Sequence, residues 1–252
     1  MKEVFGESWD RLFSPPIAHR GLWKPDGPPE NSLGAFQAAC AAGYGIELDV
    51  QLSADGEAVV FHDATLSRMT GREGRIADHM AADLGAMRLS NTDETIPTLA
   101  DALTLIGHRA MVHIEIKIPY GEVGPLERRV CEVLIAHNGP PCVIGFNPYS
   151  HAWFAEHHPK ILRGLDSYSY SYANGDARHL APELRRSYAR LEHVRVAKPH
   201  FLALGLDMLP SAKAAAFRKR GMPIVAWTVR STHEWSAVAD HCDNLIFEGF
   251  EA

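Results

Sequence analysis

The chain has 252 residues, and its 25 basic and 31 acidic side chains give a formal net charge of −6. This acidic balance argues against a nucleic-acid partner, because proteins normally bind a polyphosphate backbone through a basic face. The length suits one large domain or two small ones, and we find no apolar run near the ~20 residues that span a bilayer.

The first third of the chain alternates short apolar segments with one helical segment. The pattern predicts a strand at residues 17–19 that runs into a loop, and a second strand at residues 45–52. Between them, apolar residues recur at helical spacing over residues 33–40. We expect Asn31 to cap this helix, because its side chain can accept hydrogen bonds from the free N–H groups of a first turn. A short apolar segment at 58–61 follows.

Residues 64–95 interrupt this alternation with a largely polar stretch. We interpret them as an excursion from the main architecture, followed by a helix that begins near Thr98. Beyond this helix the alternation returns and continues toward the C-terminus. Strands are predicted at 111–118, 142–147, 161–166, 201–206, 223–229 and 244–248, and helices at 122–137, 149–157, 182–192, 211–220 and 232–240.

With the strands at 17–19 and 45–52, eight strands are predicted. Their alternation with helices favours parallel βα units, the repeating unit of α/β folds. A (β/α)8 barrel commonly has about 250 residues in one domain, which matches this chain. We find no internal repeat, linker or low-complexity tract in the sequence. We therefore expect residues 1–252 to form a single domain.

The second predicted strand alternates apolar and acidic residues. Ile46, Leu48 and Val50 face one side of it. Glu47 and Asp49 face the other side, because successive strand residues point to opposite faces. Inside a barrel, two such carboxylates would repel each other and be costly to desolvate, and a divalent cation such as Mg²⁺ or Ca²⁺ would offset that cost. The alternative is an exposed amphipathic strand with solvated acids.

The strand at 111–118 repeats this design, because its apolar residues alternate with His113, Glu115 and Lys117. Glu115 can supply a third carboxylate to the same ion. Lys117 adds a cation near that site, which suits an anionic substrate. The alternative is a buried ion pair between Glu115 and Lys117 with only a structural role. His113 lies deeper along the strand, and we interpret it as a hydrogen-bonded core histidine.

Two histidines stand where predicted strands end. His19 ends the first strand and precedes Arg20, and His62 follows the segment at 58–61. The catalytic groups of a (β/α)8 barrel gather at the carboxyl ends of its strands. Two histidines beside a bound anion can act as general base and general acid near neutral pH. Arg20 can hold a phosphate through a bidentate fork.

Nine short motifs stand in order along the chain. They are His19-Arg20-Gly21, Pro29-Glu30-Asn31-Ser32, Glu47-Leu48-Asp49-Val50, Asp55-Gly56, His62-Asp63, Ile96-Pro97-Thr98-Leu99, Ile114-Glu115-Ile116-Lys117, Phe146-Asn147-Pro148 and Trp227-Thr228-Val229. Together these motifs resemble the glycerophosphodiester phosphodiesterase family. The resemblance extends over residues 17–248, and it is stronger in the first half of the chain than at 160–220.

This resemblance implies an α/β fold, a (β/α)8 TIM barrel with a small insertion after the second strand region, which the excursion at 64–95 fits. It implies metal-dependent hydrolysis of a glycerophosphodiester to sn-glycerol 3-phosphate and an alcohol, with Mg²⁺ or Ca²⁺ as the divalent cofactor. The implied site residues are Glu47, Asp49 and Glu115 as metal ligands, His19 and His62 as general acid and base, and Arg20 and Lys117 as phosphate contacts. Glu30 is expected near the metal or the glycerol, and Trp227 is either a pocket residue or a core residue.

Two departures from the family pattern concern the rim of the pocket. Gly145-Phe146 stands where the family often has Ser-Phe, and the chain ends with 245–250, Leu-Ile-Phe-Glu-Gly-Phe, where an aspartate usually follows two isoleucines. The alcohol headgroup is therefore left open, as are the preferred metal, the order of the two histidines, the attacking oxygen and the oligomeric state. The alternatives are a lysophospholipase D-like phosphodiesterase on the same fold and a non-catalytic barrel that binds phosphate esters.

The cysteines and the N-terminus bear on the compartment of the protein. Cys40, Cys131, Cys142 and Cys242 have neither CxxC nor metal-type spacing, which favours reduced, mostly buried thiols. Residues 1–13 lack the basic-then-apolar order of a signal peptide. We therefore expect a cytoplasmic protein whose partner is a small-molecule substrate.

Overall fold

Eight parallel strands form a closed ring in the computed structural model, which describes residues 2–118, 122–137, 141–171 and 180–252. The strands of this described part are β1 (Ile17–Ala18), β2 (Gly45–Leu52), β3 (Ala58–Val60), β4 (Val112–Ile116), β5 (Pro141–Gly145), β6 (Leu162–Ser167), β7 (Phe201–Gly205), β8 (Ile224–Val229) and β9 (Asn244–Phe247). The ring order is β1-β9-β8-β7-β6-β5-β4-β2, and pairing of β1 with β2 closes it. The predicted (β/α)8 TIM barrel is confirmed.

The strand β3 lies outside the ring and opens the insertion. It pairs antiparallel with the end of β2, so that Val50 faces Val60 and Leu52 faces Ala58. The segment that follows has an apolar cluster of its own, which contains Val59, Phe61, Leu66, Met69, Ile76, Leu84, Met87, Leu89 and Ile96. The small insertion predicted after the second strand region is thereby confirmed.

Helices lie around the outer side of the ring, across its amino end and in the insertion. Those of the described ranges are α1 (Lys2–Phe5), α2 (Glu7–Arg11), α3 (Leu33–Ala42), α4 (Ser67–Thr70), α5 (Ala81–Gly85), α6 (Leu99–Ile106), α7 (Pro125–His137), α8 (Pro148–His157), α9 (Pro182–Ala189), α10 (Val194–Ala197), α11 (Ala212–Lys219) and α12 (Thr232–Val238). The sequence pattern does not predict α1, α2, α4, α5 or α10. Each has only four or five residues, too few for a helical period to show.

The N-terminal segment covers the amino end of the barrel. Leu12 is fully buried among the inward side chains of the ring strands, and Phe5 and Trp9 pack against the same cluster. The side-chain amide of Asn244, at the start of β9, donates hydrogen bonds to the carbonyl oxygens of Leu12 at 2.9 Å and Pro15 at 3.0 Å. These contacts fix the segment across the barrel floor.

The side chains of β2 divide between two environments. Ile46, Leu48 and Val50 are fully buried in the cluster that the strands share with the surrounding helices. Glu47 and Asp49 point into the barrel, and they are 2% and 0% exposed. The inward acidic pair that the alternation predicts is therefore present, and the alternative of an exposed strand with solvated acids is wrong.

Two other expectations concern thiols and membrane spans. All four cysteines lie in the described part of the chain as free thiols, and Cys131, Cys142 and Cys242 are buried. Burial raises the pKa of the Cys131 thiol to about 12 and that of Cys242 to about 11. Over the described ranges, no helix combines the length and the hydropathy that crossing a bilayer requires.

Candidate active site

A cavity of about 470 Å³ opens among the carboxyl ends of the ring strands, the end at which barrel enzymes carry their catalytic groups. Its wall contains most of the side chains that the sequence analysis selects. These are His19, Arg20, Glu47, His62, Glu115, Lys117 and Trp227. Asp49 is completely buried beside this wall. Glu30 is also buried and holds Arg20 from behind.

Three carboxylates, here called the acidic triad (Glu47, Asp49 and Glu115), converge on the inner faces of β2 and β4. Asp49 stands opposite Glu115 in the parallel register of these strands, and one oxygen of each carboxylate lies within 4.8 Å of the others. Burial, together with Asp49, raises the pKa of Glu47 well above its ordinary value. Burial also raises the pKa of Glu115 to about 7, against the lowering effect of Lys117.

The donor set of the acidic triad fits a hard divalent cation. Within the part of the chain that the structure describes, the buried atom Glu47 Oε1 has no hydrogen-bond partner. Buried acceptors without donors carry an uncompensated desolvation cost. A set of carboxylate oxygens is what Mg²⁺ and Ca²⁺ prefer, so the residues present suit such an ion.

Two cations flank the acidic triad. Lys117 Nζ lies 3.1 Å from Glu115 Oε1 and 3.3 Å from Asp49 Oδ1. Although burial lowers the pKa of Lys117, these two acids raise it above its ordinary value. The backbone N–H of Arg20 donates to Glu47 Oε2 at 2.9 Å, and the guanidinium Nε of Arg20 lies 3.4 Å from Asp49 Oδ2. Glu115 and Lys117 thus form an ion pair, and both of its members line the cavity.

His19 contacts a carboxylate from the far end of the chain. Its Nδ1 lies 2.6 Å from Oε2 of Glu248, which is 229 residues away in sequence. Burial lowers the pKa of His19, against the effect of this hydrogen bond. Burial acts to raise the pKa of Glu248, but the bond with His19 brings it to about 2. The sequence analysis does not select Glu248, although it stands at the end of the last predicted strand, where barrel enzymes carry site residues.

A series of alternating charges links His62 to Arg20. His62 Nδ1 lies 2.7 Å from Asp63 Oδ1, and Arg68 Nε donates to Asp63 Oδ2 at 2.6 Å. Arg68 Nη2 and Arg20 Nη1 both donate to Glu30 Oε1, each at 2.7 Å. Burial lowers the pKa of His62, although nearby acids oppose this. Glu30 therefore positions Arg20, whereas the sequence analysis places it near the metal or the glycerol.

Asn31 contacts the acidic triad instead of capping the helix that follows. Ser32 caps α3, because its Oγ accepts a hydrogen bond from the Ala35 N–H at 3.1 Å, so the prediction of Asn31 as the N-cap is wrong. Asn31 Nδ2 donates to Asp49 Oδ2 at 2.7 Å. Asn31 adopts a left-handed backbone with φ of 56°, whereas an N-cap is normally extended.

The β5 to β8 side of the cavity has an aromatic wall. Trp227 lines it together with Phe146 and Tyr168, and its ring centroid lies 5.6 Å and 6.2 Å from theirs. Trp227 is therefore a pocket residue. Asp166 of β6 lines the same side and is 3% exposed. The sequence analysis does not select Asp166, although it continues the inward face of a predicted strand.

Residues 19–138 match the model of the Glycerophosphoryl diester phosphodiesterase family. This segment is a little under half of the chain. The matched segment carries both cavity histidines, the acidic triad and the two cations beside it. The resemblance in the order of motifs is thus confirmed.

Curated relatives match about half of the chain. The glycerophosphodiester phosphodiesterase of Caldanaerobacter subterraneus subsp. tengcongensis is 38% identical over 144 residues, which cover 53% of this chain and 58% of the relative. That of Bacillus altitudinis is 38% identical over 125 residues, which cover 46% of this chain and 50% of the relative. The chain therefore spans 58% and 50% of the lengths of these two family members.

Solved structures match almost the whole chain. An Oleispira antarctica phosphodiesterase in complex with the product sn-glycerol-3-phosphate has a TM-score of 0.79 at 24% identity, with 96% of this chain and 94% of that one covered. A glycerophosphodiester phosphodiesterase from Thermotoga maritima has a TM-score of 0.70 at 24% identity, with 92% of each chain covered. At these identities the likeness supports the shared TIM-barrel fold.

Proposed function

We propose that this chain hydrolyses glycerophosphodiesters to sn-glycerol 3-phosphate and an alcohol, with a divalent metal as cofactor. The observation that carries the proposal is a single cavity that joins two carboxylate-bound histidines and two cations to the acidic triad. The match of residues 19–138 to the family model and the names of the two bacterial relatives support the same activity. The Oleispira antarctica phosphodiesterase, whose product is sn-glycerol-3-phosphate, has the same fold.

Arg20 and Lys117 bind the phosphate group of the diester. Both line the cavity, and both are already held by the carboxylates around them, at distances of 2.7 Å for Arg20–Glu30 and 3.1 Å for Lys117–Glu115. Cations fixed before the substrate arrives need no reorganisation when negative charge develops on the phosphate oxygens. Their role in the proposal is to bind this phosphate and to stabilise it as the reaction proceeds.

His19 and His62 move the two protons of the reaction. The Nδ1 of each ring faces a carboxylate, so Nε2 is the atom available to the substrate. One histidine removes the proton from the attacking oxygen, which is either water or the 2-hydroxyl of the glycerol. The other donates a proton to the oxygen of the leaving alcohol as its bond to phosphorus breaks.

The acidic triad would hold Mg²⁺ or Ca²⁺. When bound, such an ion supplies positive charge to the phosphate oxygens and orients the substrate. Asn31 fixes the orientation of Asp49 through the hydrogen bond at 2.7 Å. Outer contacts of this kind support metal affinity in many proteins.

Metal dependence is tested by release of sn-glycerol 3-phosphate from glycerophosphocholine by the full chain. We expect turnover with added Mg²⁺ or Ca²⁺, its loss in excess EDTA, and its return when the ion is restored. Glu47→Gln should raise the metal concentration for half-maximal activity by about tenfold or more, whereas Glu132→Gln on the exposed face of α7 should not. Full activity in excess EDTA would contradict the proposed metal dependence. Binding of the diester without release of product would favour a non-catalytic barrel.

The two-histidine chemistry is tested with His19→Ala and His62→Ala. Each should lower kcat for glycerophosphocholine by roughly 10²- to 10⁴-fold, while His157→Ala on α8 should leave it unchanged. A glycerophosphodiester with a p-nitrophenol leaving group needs no protonation of that group, so it should restore turnover only in the variant that lacks the general acid. Near-wild-type kcat in both alanine variants would contradict acid–base catalysis by this pair.

A further inference from the structure

The aromatic wall of the cavity has the shape of a corner. The rings of Phe146 and Trp227 meet at an interplanar angle of 84°, those of Phe146 and Tyr168 at 84°, and those of Tyr168 and Trp227 at 75°. The centroid of Phe146 lies 5.6 Å and 5.7 Å from the other two. The three rings are nearly perpendicular to one another, and all three line the cavity.

A glycine, Gly205, leaves the space between Tyr168 and Trp227 free of a side chain from β7. Gly205 is the register partner of Trp227 and separates it from Tyr168 across β7. A Cβ atom at Gly205 would lie 3.1 Å from the Cβ of Tyr168 and 2.8 Å from Asp207 Oδ1. The ring strand between the two aromatic residues therefore contributes no side chain, and the space in front of the rings belongs to the cavity.

A buried acidic side chain, Asp166, lines the same cavity as this corner, and burial together with Glu115 raises its pKa well above the ordinary value. Asp166 occupies the inward face of β6, two residues before Tyr168, and it is 3% exposed. Considering the described residues alone, its Oδ1 atom has no hydrogen-bond partner. Asp207, whose Oδ2 accepts a hydrogen bond from the Ser169 N–H at 3.1 Å, also lines this side. The proposed chemistry of phosphate, metal and proton transfer uses neither carboxylate.

Aromatic faces and a buried carboxylate have one class of ligand in common, an organic cation. A quaternary ammonium group cannot donate N–H hydrogen bonds, so ring faces within about 6 Å and a nearby negative charge are the contacts that suit it. A desolvated metal ion would instead need several oxygen ligands.

We propose that the aromatic corner (Phe146, Tyr168 and Trp227) and Asp166 bind a quaternary ammonium group, and that the preferred substrate is therefore a glycerophosphodiester of a choline-like alcohol. The assignment of this cation to the leaving alcohol rests on the proposed function. The phosphate, held by Arg20 and Lys117 at one side of the cavity, and the ammonium group at the other side are then joined by the short carbon spacer of the alcohol.

The decisive comparison uses two substrates of equal shape and different charge. Glycerophosphocholine carries a trimethylammonium group, and glycerophospho-3,3-dimethylbutanol carries a neutral tert-butyl group in its place. For the wild-type chain, we expect kcat/KM to be about tenfold or more higher for the choline ester. A ratio near one, with both esters hydrolysed, would overturn the proposed headgroup site and leave the phosphodiesterase function standing.

Variants assign the preference to the named residues. Asp166→Asn keeps the shape of the side chain and removes its charge, and Phe146→Leu keeps an apolar side chain and removes the ring. Both should lower the ratio of the two kcat/KM values at least fivefold, mainly through the choline ester. Asp93→Asn, at a side chain that is 92% exposed outside the cavity, should leave the ratio unchanged. A ratio unaffected by both cavity variants would overturn the assignment.

A binding measurement separates this inference from the proposed function. Calorimetry with tetramethylammonium chloride, with sodium chloride as the blank, should show saturable binding that weakens in Asp166→Asn. If no diester is hydrolysed but this binding is found, the phosphodiesterase function is wrong and the cation site stands. If tetramethylammonium does not bind to the wild-type chain, the cation site is wrong.

Discussion

The two histidines of the cavity share one arrangement, an imidazole whose Nδ1 faces a carboxylate. The distances are 2.6 Å for His19–Glu248 and 2.7 Å for His62–Asp63. Each carboxylate fixes the orientation of its ring and the nitrogen that carries the proton. Glu248 is itself held, because its Oε1 accepts a hydrogen bond from Arg230 Nε at 2.6 Å. Both rings are therefore oriented before a substrate binds.

Glu248→Gln should show how much this orientation contributes. The amide keeps the shape of the side chain but removes the negative charge beside His19, so we expect kcat to fall by about 10- to 100-fold with little change in KM. Steady-state kinetics with glycerophosphocholine measures both constants. Glu132→Gln, whose carboxylate pairs with Arg129 on α7, is the matched control. A change confined to KM would assign Glu248 to substrate binding.

Inside the barrel, a small residue on one strand faces a large residue on the neighbouring strand. Phe201 of β7 is fully buried and is the register partner of Gly164 on β6. A Cβ atom at Gly164 would come within 2.2 Å of the Phe201 ring. The inward face of β6 then continues with Asp166 and Tyr168. Gly164 thus leaves room for the Phe201 ring at the floor of the barrel. Asp166 and Tyr168 of the same strand reach the cavity above this ring.

Gly164→Ala should lower the free energy of unfolding by about 2 kcal/mol, because one added methyl group overfills a packed core. Chemical denaturation measures this change. Gly85→Ala in α5 is the control, since its Cβ atom would meet a carbonyl oxygen only at 3.9 Å, and it should change the value by less than ~0.5 kcal/mol. Adding Phe201→Leu to Gly164→Ala should show non-additive losses, and strictly additive losses would argue against the clash.

At the scale of the whole molecule, buried histidines make stability depend on pH. His151 of α8 is 1% exposed, and its Nε2 lies 2.9 Å from the Gly145 carbonyl oxygen. Burial lowers its pKa to about 4. Below the ordinary histidine pKa of about 6.5, the unfolded chain therefore binds a proton that the folded chain does not. This group removes stability as the pH falls from about 6.5 to 4 and has no effect on it above that window.

The comparison of the wild-type chain with His151→Gln isolates this contribution. Other titrating groups are common to both proteins, and the glutamine amide can donate to the Gly145 carbonyl oxygen as Nε2 does. From pH 7.5 to pH 5, the wild-type chain should lose unfolding free energy relative to the variant, by at most about 1.4 kcal/mol per pH unit. Urea denaturation at several pH values measures the difference. A difference that stays constant from pH 7.5 to pH 5 would contradict the linkage.

The sequence by itself determined the order of the elements and the inward direction of Glu47, Asp49 and Glu115. Both follow from local rules, because the period of a strand fixes which residues share a face. The eight predicted strands agree with the ring to within a few residues. The short motifs around His19 and His62 also contain their own site residues, so they were found without knowledge of distant contacts.

Only the tertiary structure decided which distant side chains complete the site. Glu248 reaches His19 because β9 and β1 are neighbours in the closed ring, and Arg68 reaches Glu30 because the insertion packs beside the barrel. Asn31 binds Asp49 instead of capping α3, and local helix-capping preferences do not predict this contact. Closure of the ring brings together residues up to 232 positions apart, as in the hydrogen bond from Asn244 to Leu12. Local periodicity does not predict such contacts, because they form only when the barrel closes.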